Sequence, residues 1–327
     1  MRAVCLILAV FTTLLFSCSD KGKKTLLPDS GGQPYDVVVV GDRDSIVYQY
    51  LSQDTPGLPQ PEPMFDVTEI ADLDKLPSAR LARNIIRVDI NPEVYTSFSI
   101  DYSKNINAEP QIEIRLHAPS VSILKEAIEN DNRLASLIDI VELNRAISVL
   151  KRKNNPKADA TVRKIFGCTM YVPADMTSSK VGRNFVWFSN NATTGMQNIC
   201  VFTIPECPLQ RLAEKCDSVT KINIPGECDG MYFSIDKEHF RLFHLSAIPS
   251  STVQATGLWE MKDDIMGGPV RLHFIKNKVP GKIVVAMAFV YAPEMSKRNE
   301  IKAIEAALYT LKPDPVQERN KTRNYQQ

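Results

Sequence analysis

Along the chain, short β-branched runs alternate with stretches of helical period. Tyr35-Asp36-Val37-Val38-Val39-Val40-Gly41 is an apolar run closed by glycine, the pattern of a buried strand. Residues 44–53 follow as a helix. Pro56-Gly57-Leu58-Pro59-Gln60-Pro61-Glu62-Pro63 then reads as a stiff extended loop, because proline donates nothing to a ladder and does not continue a helix. Strands are expected at 84–90, 95–102 and 111–117. Pro119-Ser120 opens a helix with Val121, Leu124 and Ile128 on one face, and a second helix runs over about 132–152.

Asn154-Asn155-Pro156 is a strong breaker within a basic stretch, and it separates a first α+β domain, 35–155, from a second, 156–311. Beyond it, strands are expected near 164–172, 184–189 and 197–204, with Pro205 and Pro208 leading into a helix at 209–218. Residues 231–292 read mostly as strand. A helix over 294–311 closes the domain, with Ile301, Ile304, Ala307 and Leu308 on one side. Residues 312–327 read as a disordered tail. Arg83-Asn84-Ile85-Ile86 and Arg183-Asn184-Phe185-Val186 occupy similar places, which fits either a diverged duplication or the ordinary echo between α/β segments. The expected fold class is α+β, with mixed or antiparallel sheets covered by helices in two similar halves. A fully doubly wound parallel sheet is disfavoured, because several strands follow one another with no helix between them.

The N-terminus reads as an address. Met1-Arg2 precedes an apolar run of 14 residues, Ala3 to Phe16, the length of a signal-peptide core and short of the ~20 residues that span a bilayer. Leu15-Phe16-Ser17-Cys18 resembles the lipobox of bacterial lipoproteins, with cleavage after residue 17 and lipid on the Cys18 thiol; Phe16 departs from the usual smaller residue. The alternative is an ordinary cysteine near a plain secretory cleavage site. Residues 18–34 read as a flexible tether. A lone Asp20 before lysines, in place of an acidic cluster, favours an outer-membrane lipoprotein facing the periplasm.

Charge narrows the partners. The chain carries 39 Lys+Arg against 38 Asp+Glu, and cleavage removes only Arg2, leaving 38 against 38. Nucleic-acid binders need a basic excess to meet phosphate, so a nucleic-acid partner is not expected. The expected partners are the membrane, through the lipid, and an envelope protein or glycan.

Five motifs stand in one order: Pro56 to Phe65, Arg83-Asn84-Ile85-Ile86, Gly257-Leu258-Trp259-Glu260, Met266-Gly267-Gly268-Pro269 and Phe289-Val290-Tyr291-Ala292-Pro293. Together they resemble an uncharacterised family of Bacteroidota lipoproteins known as domain of unknown function 4837, over nearly all of the chain beyond the cleavage site. The resemblance implies an envelope lipoprotein and carries no activity, ligand or catalytic residue.

No catalytic motif is present, and no cofactor or metal is expected. His117, His239, His244 and His273 are scattered without ligand spacing. Cys168, Cys200, Cys207, Cys216 and Cys228 contain no CxxC pair; Cys168 with Cys200 and Cys216 with Cys228 are the pairings left open. Trp259, Glu260, Asp263, Asp264, Gly267 and Gly268 combine an aromatic, carboxylates and small residues, as sugar or peptide sites do. The same residues also read as a bulged turn with two solvated acids. The function expected is non-enzymatic binding or scaffolding in the envelope. The rival is a hydrolase or transferase acting on envelope glycans through Asp263, Asp264 or Glu260.

Overall fold

The computed structural model describes residues 26–243, 252–276 and 280–314. The expected signal peptide, Cys18, His244 and residues 315–327 of the expected tail lie outside these residues. Among the described residues, no helix is long and apolar enough to cross a membrane.

The first half runs β1 (Asp36–Val40), α1 (Ile46–Leu51), β2 (Asp66–Ile70), β3 (Asn84–Ile90), β4 (Ser99–Lys104), β5 (Ile112–Ala118), α2 (Val121–Glu129) and α3 (Arg133–Arg152). Its sheet has the order β2-β1-β3-β5-β4, parallel except for β4 at the edge. Val37, Val39, Ile86 and Ile114 face the three helices, where Leu51, Leu124, Leu134 and Ile138 close the core. Ser120 caps α2 by accepting from the Ile123 amide. At the start of α1 the Asp42 carboxylate accepts from the amides of Ile46, Val47 and Tyr48 at 3.1, 2.8 and 3.0 Å. The chain's own carboxylate thus takes the place a phosphate would need.

The second half comprises α4 (Pro156–Phe166), β6 (Cys168–Thr169), β7 (Ser178–Gly182), β8 (Phe185–Ser189), β9 (Met196–Pro205), α5 (Leu212–Asn223), β10 (Phe233–Ile235), β11 (Arg241–Phe243), β12 (Thr252–Met261), β13 (Gly267–Lys276), β14 (Lys282–Tyr291), α6 (Arg298–Leu308) and β15 (Lys312–Pro313). Eight of its strands form an antiparallel sheet in the order β10-β12-β13-β14-β9-β8-β7, with β11 beside β12. Residue parity divides the core. Val201, Ala286 and Ala288 pack with α4 and α6 on one face, whereas Cys200, Phe202 and Met287 pack with α5 on the other.

The architecture is α+β in two halves, with one mixed sheet, one large antiparallel sheet and a two-stranded antiparallel pair of β6 and β15. The Arg83 and Arg183 echoes lead into strands of different character: β3 is central and parallel, and β8 is antiparallel. Three expectations need correction. The strand expected over 164–172 is mostly the end of α4, because Asn155 and Pro156 start a helix as well as ending one: the Asn155 side chain accepts from Lys157 and Ala158, and Pro156 sits in the first turn. β2 was not anticipated. The segments expected as tether and tail are ordered at their inner ends: Ser30 and Gly31 donate to the Glu109 and Leu81 carbonyls at 3.2 and 2.8 Å, and Lys312 and Pro313 pair with β6.

Three connections fix one half against the other. α3 starts in the first core with Leu134 and Ile138 and ends in the second with Leu150. The Glu62 carboxylate, at the end of the proline loop, accepts from the Lys297 and Arg298 amides at 2.7 and 2.9 Å, capping α6 from the other half. Arg298 returns to the Pro63 carbonyl at 2.7 Å and pairs with Asp66.

Candidate functional site

The loop expected to meet a ligand is the hairpin joining β12 to β13. Trp259 is 3 % exposed; its ring stacks on Phe233 with centroids 5.1 Å apart, and its Nε1 donates to the Val290 carbonyl at 3.0 Å. A Cβ on Gly268 would stand 2.2 Å from that carbonyl, and one on Gly267 would stand 2.8 Å from the Trp259 carbonyl. The two glycines therefore serve close packing around the indole. Glu260 pairs with Lys262, Asp263 turns the chain at φ 63°, and Asp264 accepts from the Ile265 amide at 2.6 Å. The six residues divide between a packed core and a turn tip. Glu260 alone borders a polar hollow, of about 450 Å³, shared with Asp217, whose carboxyl burial pushes up.

A larger cleft, of about 800 Å³, opens between the halves. The α2–α3 connection and the first turns of α3 form one wall, α6 and β11 to β13 the other, and Pro56 crosses one end. Its charges come from distant parts of the chain. Arg271, on β13 and 5 % exposed, donates to Thr256 Oγ1, to the Pro56 carbonyl at 3.2 Å and to the Gly57 carbonyl at 3.4 Å, and its Nε lies 3.6 Å from Glu305. Gly57 allows this approach: its φ is +74°, and a Cβ there would stand 2.2 Å from Thr256 Oγ1. Lys302 Nζ lies 2.6 Å from Asp139 and 4.2 Å from the centroid of the Tyr35 ring.

These surroundings shift protons. Burial pushes the Glu305 carboxyl above the usual carboxylate range, against the pull of Arg271 and Lys302. Burial raises the Tyr309 and Tyr35 hydroxyls too, with Glu305 and Asp139 adding to the effect, so both phenols stay neutral at physiological pH. Arg298, Lys302, Glu305 and Tyr309 recur at four, three and four residues along α6 and its end, a second helical stripe beside the apolar one. That stripe was the available sequence signal; Arg271 gave only its alternation with Val270 and Leu272.

Thr256 and Arg271 are register partners, as are Gln254 and His273 one row further along the same sheet face. Gln254 is fully buried, and among the described residues neither its amide nitrogen nor its oxygen has a hydrogen-bond partner; His273 Nε2 likewise has none there. Tyr309, which lines the cleft, packs edge-on to the His273 ring at 4.4 Å. Burial depresses His273 to about 3 from 6.5. The unfolded chain therefore binds a proton that the folded one refuses. The stability this histidine confers is complete above about 6.5 and is lost as pH falls towards 3, at up to ~1.4 kcal/mol per pH unit. Urea unfolding from pH 7 to pH 4 will show a shallower acid slope for His273→Leu than for the wild type; parallel slopes would contradict this.

The other described histidines are engaged elsewhere. His117 Nε2 lies 2.8 Å from Asp101, whose carboxyl this contact holds below its usual range, and His239 Nδ1 lies 2.6 Å from Asp236. Among the described residues, no group of three His, Cys, Asp or Glu is placed to hold a metal. Neither cysteine pairing is formed: Cys168 and Cys200 pack on opposite faces of the second sheet, and Cys216 is buried while Cys228 is exposed.

Residues 155–310 match a family described as domain of unknown function (DUF4837), and residues 30–151 match another, domain of unknown function (DUF8532). No curated protein matches. Among solved structures, the Saccharomyces cerevisiae Ran-binding protein Mog1p is 12% identical over 45% of this chain and 90% of its own, at a TM-score of 0.30. A Bacteroides thetaiotaomicron VPI-5482 protein is 13% identical over 45% of each chain, at a TM-score of 0.20. Superpositions this loose carry neither a fold nor a role across. The motifs quoted from Gly257 onward fall inside the DUF4837 segment, whereas Pro56 to Phe65 and Arg83 to Ile86 fall in the other, so the first resemblance covers the second half of the chain. The chain is thus similar to DUF4837 over residues 155–310 and to DUF8532 over residues 30–151.

Proposed function

We propose that this chain is an envelope lipoprotein, held beside a membrane by lipid on Cys18, that binds a ligand in the cleft between its halves without transforming it. One observation carries the binding role. The cleft places aromatic rings and polar side chains from both halves around about 800 Å³, the size and position of an ordinary ligand site at a domain interface. The lipobox-like Leu15-Phe16-Ser17-Cys18 supports the anchor. From Cys18 to Pro28 the chain reaches at most ~35 Å when extended, so the folded body stays close to the lipid.

Cys18→Ala will move the protein from the membrane fraction to the aqueous extract, and the wild type alone will carry fatty acid by intact mass. A Cys18→Ala protein that still sediments with membranes would overturn the anchor. A ligand held by the folded state also raises its stability by RT ln(1 + [L]/Kd). Added envelope extract will therefore raise the unfolding midpoint of the purified protein, and an unchanged midpoint at saturating extract would overturn the binding role.

A further inference from the structure

Building on the cleft as a binding site, we infer that its ligand is a carboxylate carried on an apolar body, with Arg241 gripping the carboxylate. The acids that line the cleft each face a cation already. Asp139 has Lys302 at 2.6 Å, Glu305 has Arg271 at 3.6 Å, Glu129 has Lys125 at 3.8 Å, and Asp131 pairs with Arg133. Arg241, on β11, is the cation left over: it lines the same cleft and has no ion-pair partner among the described residues. An exposed arginine is ordinarily free to wander, and this one is held. Its Nη1 donates to the Glu238 and Phe240 carbonyls at 2.6 and 3.1 Å, which fixes the guanidinium and leaves Nε and Nη2 open. Those two nitrogens form the side-on fork that meets both oxygens of a carboxylate.

Buried donors join the fork from both halves. Arg241, Thr256 and Arg271 are successive register partners across β11, β12 and β13, so they share one sheet face. Thr256 Oγ1 already accepts from Arg271, and among the described residues its own proton has no acceptor. From the first half comes Tyr35, 7 % exposed, whose hydroxyl lines the cleft with no hydrogen-bond partner among the described residues. A phenol buried that deeply is expected to have one, and burial keeps it in the neutral, donating form. The single unmatched charge selects the anion. A phosphate monoester brings about 1.5 to 2 negative charges, and the second would stand among acids already paired, whereas a carboxylate brings one. Met64, Leu143 and Phe243 supply the apolar wall for the rest of the ligand.

The test is calorimetric titration of the full lipidated protein, in detergent and corrected for detergent alone, with hexanoate, hexanamide and hexyl phosphate. Hexanoate is expected to bind, more weakly as salt rises, and hexanamide at least about tenfold less tightly, about 1.4 kcal/mol. Arg241→Gln is expected to erase that preference while keeping the wild-type unfolding midpoint, because the side chain is exposed. Arg241→Lys, which keeps the charge and loses the fork, is expected to retain only part of it. Equal binding of hexanamide, a preference that survives Arg241→Gln, tighter binding of hexyl phosphate, or no binding by any of the three at millimolar concentration would overturn the inference. The binding role itself fails separately. Envelope extract that shifts Arg241→Gln as far as the wild type, but not the cleft-filling Ser136→Trp, would overturn the carboxylate and leave the cleft as the site. A wild type that the extract does not shift would overturn the site.

Discussion

Glu142→Ala will destabilise the first half by about 3–5 kcal/mol, the usual cost of stranding buried charge. The Glu142 side chain is 2 % exposed and is held bidentately by Arg83, Nε to Oε1 at 2.8 Å and Nη2 to Oε2 at 2.6 Å. Arg145 Nη1 and Asn84 Nδ2 also reach Oε1, each at 2.7 Å. Arg145 donates further to Asn84 Oδ1 at 2.8 Å and to the Arg83 carbonyl at 2.9 Å, and burial already lowers its proton affinity. Removing the carboxylate leaves two guanidinium groups, 15 and 11 % exposed, facing each other without an anion. The network also sets the rotation of α3 on β3, and α3 carries Ser136 and Asp139 into the cleft wall. Urea unfolding will show a lower midpoint with an unchanged slope, and a loss below ~1 kcal/mol would show the carboxylate to be dispensable.

Trp259→Ala will cost about 3–5 kcal/mol, the range for emptying a large aromatic site. The indole stands among Phe233, Phe289 and Tyr291, at 5.1, 5.3 and 6.4 Å between ring centroids. Trp259→Phe keeps most of that packing and loses the bond to the Val290 carbonyl, about 1 kcal/mol. The phenylalanine variant also separates core from site. A ligand-facing tryptophan would change ligand affinity when replaced, whereas this buried one will leave the cleft's affinity unaltered. A large affinity loss with little change in unfolding midpoint would place the ligand at the hairpin.

Much of the fold was legible where the signal is local. The valine run of β1, the Ser120 cap, and β3 and β9 at their expected places all follow from periodicity and caps. Asn155-Pro156 misled because the same pair that ends one helix can begin another, and the Gly167 C-cap at φ 65° confirms a complete helix between them. The proline loop showed its stiffness but not its use, since Glu62 finds its partners more than two hundred residues later. The cleft was hidden for the same reason. Arg271 is spent on carbonyls of residues 56 and 57, and Lys302 on Asp139; no spacing in the sequence encodes such meetings. Trp259 and its glycines were visible because they are adjacent, and adjacency suggested a site where the fold needed packing.

The central claim is that the ligand sits between the halves and not at the hairpin tip, and photo-crosslinking in intact envelopes tests it most directly. A benzophenone side chain would replace Asn132, on the cleft wall, in one protein and the fully exposed Ile265, at the hairpin tip, in another. The account predicts one discrete, light-dependent adduct from position 132 and none from 265. The reverse pattern, or the same mixture of abundant neighbours from both, would contradict it.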